Sequence, residues 1–204
     1  NSGSSSNLLA ISSLIETGQL KKGDKVIVPA LSWSTTIFPL QQYDLIPVFI
    51  DQSEFDYNID IDQVKSYLRG NKAQAIMLIH TYGNPCNMDE IMNIADQDNL
   101  VVIEDSCESM GAKWGGRNIG SFGNIGTFST YFSHHISTIE GGIIITNDNE
   151  IESMIRSNKS HGWIRHVSEE ENPDKSVPGY DSGFIFPNTG YNLRLTEPQA
   201  AIGI

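Results

Sequence analysis

The side chains best suited to chemistry fall in a few short segments. Gly3-Ser4-Ser5-Ser6 opens a stretch whose apolar spacing predicts a helix. Free backbone N–H groups, the positive end of the helix dipole and serine hydroxyls would together make an anion site there that fits a phosphate. A serine-rich helix cap without a ligand has the same pattern. Asp105 lies at the end of an apolar run, where open α/β sheets place their ligands. A carboxylate there is costly to bury unless it meets a cation or a donor, although it also serves as a cap for the next turn. Glu104 and Glu108 complete a local acidic cluster, but no His accompanies them at metal-ligand spacing. Ser129 sits on a β-like run, followed by Ser133, His134, His135 and the glycine-rich Glu140-Gly141-Gly142. Side chains alternate along extended backbone, so one of the two histidines at most is expected to face a given pocket. It would act there as a proton acceptor or simply satisfy a local hydrogen bond.

Alternating strands and helices must position these groups. Leu8, Ile11, Leu14 and Ile15 recur at helical spacing, with Gly18 as a stop. The runs 26–30, 46–50, 75–79 and 101–103 are short, apolar and rich in β-branched residues, as buried strands are. Asp60 is placed to cap a helix carrying Ile61, Val64 and Leu68, which Gly70 would end. Asn87 and Glu90 have the spacing of a capping box ahead of Met88, Ile91, Ile94 and Ala95. Further β-like runs at 126–132 and 142–146 precede a helical pattern at 150–157. This alternation predicts an α/β domain with a mainly parallel sheet flanked by helices. From His161 to Asn188 the periodicity lapses around the acidic run Glu169-Glu170-Glu171, which reads as a long surface loop.

Composition narrows the function classes. The 204 residues carry 13 Lys plus Arg against 25 Asp plus Glu, a net charge of −12, and are 39% hydrophobic. That suffices for one sizeable core and argues against nucleic-acid or anionic-membrane surfaces, both polyanions. No run approaches the roughly 18 apolar residues of a membrane span. Cys86 and Cys107 cannot build a disulfide framework, which points to a cytoplasmic setting. The chain opens at Asn1 and stops at Ile204 inside an apolar run that reads as a helix cut short, so a piece of a longer protein is expected.

Seven blocks, in order, carry a resemblance: SGSSSN (2–7), PALSWSTT (29–36), HTYGNP (80–85), EDSCESMGA (104–112), FSTYFSHHISTIEGG (128–142), SHG (160–162) and GYNLRLTEPQAAIG (190–203). Together they resemble the DegT/DnrJ/EryC1/StrS sugar aminotransferases, which have the aspartate aminotransferase-like fold of type I pyridoxal phosphate (PLP) enzymes. The resemblance implies that residues 1–204 are the large PLP-binding domain, with an N-terminal segment and a small C-terminal domain missing. It implies that Ser4, Ser5 and Ser129 hold the cofactor phosphate, that Trp33 stacks on the pyridine ring, and that Asp105 pairs with the protonated ring nitrogen. Glu108 stands where many relatives have Gln. Asn192 matches an Asn that reaches the partner's cofactor phosphate in a homodimer.

One position departs from the aminotransferase pattern. Five residues after Ser129 and eight before Gly142, where those enzymes carry the lysine that forms the Schiff base, this chain has His134. Imidazole cannot form that bond but accepts protons near neutral pH. The resemblance therefore lies closest to the family's His-bearing nucleotide-sugar 3-dehydratases. It implies a lyase that takes the C3 hydroxyl from a nucleotide-linked 4-keto-6-deoxy sugar, with pyridoxamine phosphate (PMP) as cofactor and His134 as base. Two types are known by resemblance: one regenerates PMP with glutamate and acts on a GDP sugar, the other acts on a CDP sugar and carries a [2Fe-2S] cluster. Cluster ligation takes four Cys, and none follows His161-Gly162 here, so the cluster-free, glutamate-dependent type is expected. A sugar aminotransferase with a substituted lysine and a PLP-binding protein without turnover are the alternatives.

Overall fold

The computed structural model describes residues 1–163, 179, 181 and 184–204. Its framework is a six-stranded sheet built from β1 (Lys25–Pro29), β2 (Ile46–Ile50), β3 (Ala75–Ile79), β4 (Val101–Asp105), β7 (Ile125–Ser129) and β8 (Gly142–Ile145), in the order β2-β1-β3-β4-β7-β8. All neighbours pair in parallel except β7 and β8. The remaining strands, β5 (Lys113–Trp114) and β6 (Arg117–Asn118), form a small antiparallel hairpin.

Strand alternation builds two cores. Val26, Val28, Ala75, Met77 and Ile103 face one side, against α1 (Gly3–Glu16), α2 (Ser34–Gln42) and α5 (Asn149–Asn158). Ile27, Ile76, Leu78 and Val102 face the other, against α3 (Ile61–Leu68) and α4 (Met88–Asp98). Because helices cover both faces, β1, β3 and β4 read as continuous apolar runs rather than alternating ones. β2, expected to be buried, lies at the sheet edge and leaves Ile46 and Phe49 exposed. The mainly parallel α/β sheet expected from the sequence is thus present, and a sixth helix, α6, spans Glu197–Ile202.

Local differences have local causes. α2 escapes the apolar pattern because it contains Pro39, which removes the N–H that would bond to the Thr35 carbonyl. The β5–β6 hairpin turns at Gly115 and Gly116, both at positive φ, and is too short to show a strand pattern. The Asn87 side chain accepts from the Glu90 N–H at 3.3 Å as in a capping box, but Glu90 answers the Asn87 side-chain amide at 3.0 Å rather than the backbone. The β-like run at 126–132 ends at Ser129, and residues 131–137 turn instead of extending. The acidic run of the expected surface loop lies outside the described residues.

Candidate active site

The register sets Ile79 and Asp105, the last residues of β3 and β4, level with Thr127 in the middle of β7. Just beyond them opens a cavity of about 690 Å³ whose walls include Ser4, Trp33, Asp105, Glu108, Ser129 and His134. This is where a parallel sheet presents ligands, since the loops leaving its carboxyl ends diverge there.

α1 delivers the serines. Ser2 caps the helix, its hydroxyl oxygen accepting from the Ser5 N–H at 3.1 Å. A Cβ on Gly3 would lie 2.6 Å from Cβ of Ser129 and 2.9 Å from Sγ of Cys107, so glycine lets the helix end close directly on β7. Gly142 does the same on the other side: a side chain there would overlap the Ser2 carbonyl oxygen. Ser4 and Ser129 thereby line one cavity. Ser5 does not line it; its hydroxyl donates to Asn1 Oδ1 at 2.7 Å, which spends its donors within the cap.

Asp105 is 6% exposed. Its Oδ2 accepts from Asn7 Nδ2 and from the Thr36 hydroxyl, each at 2.8 Å, and its Oδ1 from the Cys107 N–H at 3.2 Å. Those donors fix the carboxylate's position at the cavity wall. Glu108 Oε2 accepts from the Tyr82 N–H at 3.0 Å, with Tyr82 held at positive φ. Burial, reinforced by the Asp105 and Glu108 carboxylates, pushes the Cys107 thiol far up and keeps it neutral. Trp33 is 75% exposed and presents a broad aromatic face to the cavity.

His134 sits in a turn closed by its own N–H donating to the Tyr131 carbonyl at 3.0 Å. The turn, not strand alternation, aims it: His134 lines the cavity and His135 does not. Among the described residues the His134 ring has no hydrogen-bond partner, and no lysine lines the cavity. The loop is clasped at its base, where Thr138 N–H donates to the Thr130 carbonyl at 2.9 Å and the two hydroxyls lie 2.7 Å apart.

Glu104 belongs elsewhere. Its carboxylate accepts from the N–H groups of Gly120, Phe122 and Gly123 at 2.7–2.8 Å and faces His80 Nε2 at 3.3 Å. The acidic cluster of the sequence is therefore split, and no group of metal-ligating side chains is found among the described residues. Asn192 also lies outside the cavity, exposed, with Oδ1 accepting from Arg194 Nε at 3.3 Å. Its segment is pinned by the Tyr191 N–H on the Asn158 carbonyl at 2.6 Å and by the Tyr43–Tyr191 hydroxyl pair at 2.6 Å.

A model of the DegT/DnrJ/EryC1/StrS aminotransferase family matches residues 1–204. The chain belongs to that family. It is similar to the GDP-4-keto-6-deoxy-D-mannose 3-dehydratase of Yersinia pseudotuberculosis, 44% identical over 207 residues, covering 100% of this chain and 52% of that protein. It is also similar to the dTDP-4-dehydro-2,6-dideoxy-D-glucose 3-dehydratase of Saccharopolyspora spinosa, 39% identical over 220 residues, covering 100% of this chain and 47% of that protein. A crystal structure of GDP-4-keto-6-deoxymannose-3-dehydratase with a trapped PLP-glutamate geminal diamine shares the fold at a TM-score of 0.93 and 43% identity, over 99% of this chain and 53% of that one. The fold is accordingly that of the type I PLP enzymes. The chain spans about half the length of these relatives.

Within this family site, sequence reasoning missed Asn7 and Thr36, both of which touch Asp105. Asn7 had a signal: a polar residue amid the buried face of α1. Thr36 had none, because its helix was itself hidden.

Proposed function

We propose that the protein to which these residues belong removes the C3 hydroxyl of a nucleotide-linked 4-keto-6-deoxyhexose in deoxysugar and lipopolysaccharide biosynthesis, with residues 1–204 as its large PLP-binding domain. The observation that carries this reading is His134, whose imidazole lines the cavity edge-on to Tyr131, with no hydrogen bond to the described residues, at the place where the resemblance puts the aminotransferases' lysine. The 3-dehydratase relatives support it.

The cavity's own donor set fits PLP or PMP. It offers a carboxylate for a protonated ring nitrogen, hydroxyls at a helix N-terminus for a phosphate, and an aromatic face for a planar ring. Asp105 would hold the ring nitrogen, Ser4 and Ser129 the phosphate, and Trp33 would exclude water from one ring face. Ser5, its donors spent, would shape the helix end rather than touch the phosphate. Glu108 would stand beside the bound cofactor. When bound, PMP would supply an amine for the C4 ketone and a ring system that takes up the electron pair as a proton is removed and gives it up as the C3–O bond breaks. His134 would accept a proton at a ring nitrogen and return it to the departing C3 hydroxyl oxygen. With no lysine among the described residues of the cavity wall, those residues would hold the cofactor without a covalent tether, which would leave it free to be recharged with nitrogen by glutamate. No iron–sulfur cluster is part of this reading. Asn192, exposed and outside the cavity, would serve the phosphate of a second copy in a homodimer. This reading places the enzyme in the cytoplasm; no described helix is long and apolar enough to cross a membrane.

The test is to incubate the full-length protein with PMP and GDP-, CDP- or dTDP-linked 4-keto-6-deoxy sugars and follow the sugar by mass spectrometry. Loss of the C3 hydroxyl is expected with one of them. No dehydration with any would sink the reading.

A further inference from the structure

Asn7 is 1% exposed on the face of α1 that otherwise packs Ala10, Ile11 and Leu14 into the core. An amide there is costly unless its polar atoms are matched. They are: Nδ2 donates to Asp105 Oδ2 at 2.8 Å and lies 3.4 Å from the Thr35 carbonyl, the acceptor that Pro39 leaves without its helical partner. On the other side Oδ1 accepts from the Thr127 hydroxyl at 2.6 Å. The Asp105 carboxylate only accepts, so it fixes which end of the amide it meets, and the buried Thr127 hydroxyl, which also lies 3.5 Å from the Glu104 carbonyl, donates to the other end. Were the amide reversed, its oxygen would face the carboxylate and repel it.

The polar chain Thr127–Asn7–Asp105–Thr36 thus crosses β7, α1, β4 and α2 and ends at a carboxylate on the cavity wall. Packing alone gives no reason for it, since Leu at position 7 and Val at 127 would fill similar volumes without polar atoms to satisfy. The polarity matches Asp105, whose carboxylate oxygens would otherwise be buried without donors.

We infer that Asn7 and Thr127 are positioning residues that hold the Asp105 carboxylate aimed at a protonated heteroaromatic nitrogen in the cavity. This inference rests on the proposed cofactor. Asn7 supplies the donor, and Thr127 satisfies the other end of its amide and anchors it in place.

The experiment loads full-length wild-type protein and the variants Asn7→Leu, Thr127→Val and Thr127→Ser with PLP labelled with ¹⁵N in the ring. It reads the ring-nitrogen chemical shift, the dissociation constant by absorbance titration, and cofactor-free thermal unfolding. Wild type and Thr127→Ser should show a protonated ring. Asn7→Leu and Thr127→Val should move the shift toward the unprotonated ring and weaken binding about tenfold or more, with no matching loss of cofactor-free stability. A Thr127→Val protein that keeps the wild-type shift and affinity overturns the inference while leaving the proposed function standing. That variant also decides the matter if Asn7→Leu fails to fold. Wild-type protein that takes up no PLP overturns the proposed function, and this inference with it.

Discussion

Glu104 and Asp105 are adjacent on β4 and send their carboxylates to opposite faces of the sheet. Asp105 turns to Asn7, Thr36 and the cavity, whereas Glu104 turns to the Gly120–Gly123 turn and His80. His80 Nδ1 accepts from the Cys86 N–H at 3.1 Å, so its proton is on Nε2 and points at Glu104. One carboxylate anchors loops and its neighbour faces a site.

The buried Glu104 carboxylate predicts acid-sensitive stability. Burial raises its pKa, but the His80 bond and the Gly123 and Gly120 N–H groups outweigh that and hold it below the ordinary 4.5. A depressed pKa contributes stability that is present above the unfolded value and lost as pH falls through the folded one. Glu104→Gln, which turns an amide N–H₂ toward backbone donors, should therefore cost about 3 kcal/mol near neutral pH. The deficit should shrink below about pH 4. Thermal unfolding of both proteins from pH 7 to 3 checks this; equal melting temperatures at pH 7 would refute it.

Trp33 predicts a separation of binding from folding. At 75% exposure it contributes little to the core, so Trp33→Ala should change stability by under about 0.5 kcal/mol. Loss of the aromatic face should weaken PLP binding about tenfold. Fluorescence titration beside a melting curve measures both, and an unchanged dissociation constant would count against a stacking role.

Substituting His134 should spare the fold. Its ring makes no hydrogen bond among the described residues, so His134→Asn should melt like wild type and bind PMP. Sugar dehydration should fall by about 10² to 10⁴ if the imidazole moves the proton. In His134→Lys, borohydride treatment with PLP should fix the cofactor to residue 134, detectable by peptide mass spectrometry; attachment elsewhere would show the position misassigned.

Ile139 carries local strain. It is a β-branched residue at φ 72° with 61% of its surface exposed, one residue before the Glu140-Gly141-Gly142 exit. Ile139→Gly removes the left-handed penalty at little packing cost, for a net gain of about 1 kcal/mol after the entropy of glycine. A melting temperature at or below wild type would show that the exposed side chain packs on something the strain repays.

Much of this protein was legible in its residues because the signals are local. Buried strands announce themselves as apolar runs, Asp60 caps the helix it precedes by accepting from the Asp62 and Gln63 N–H groups, and the serines stand at a helix N-terminus. The resemblance, counted from Ser129 and Gly142, singled out His134, and the structure sets it in the cavity wall. What needed the tertiary structure depends on residues distant in the chain. Asn7 and Asp105 are 98 positions apart, and only packing α1 against β4 and β7 turns an odd polar residue into a partner of the carboxylate. The Pro39-bearing α2 forms because its apolar face meets α1 and the sheet, overriding a local pattern that argues against a helix. Hydrogen-bond competition likewise separates Ser4 from Ser5. Residue type names the donors and acceptors, but a donor has a limited number of protons to give, and only the folded chain decides where each one goes.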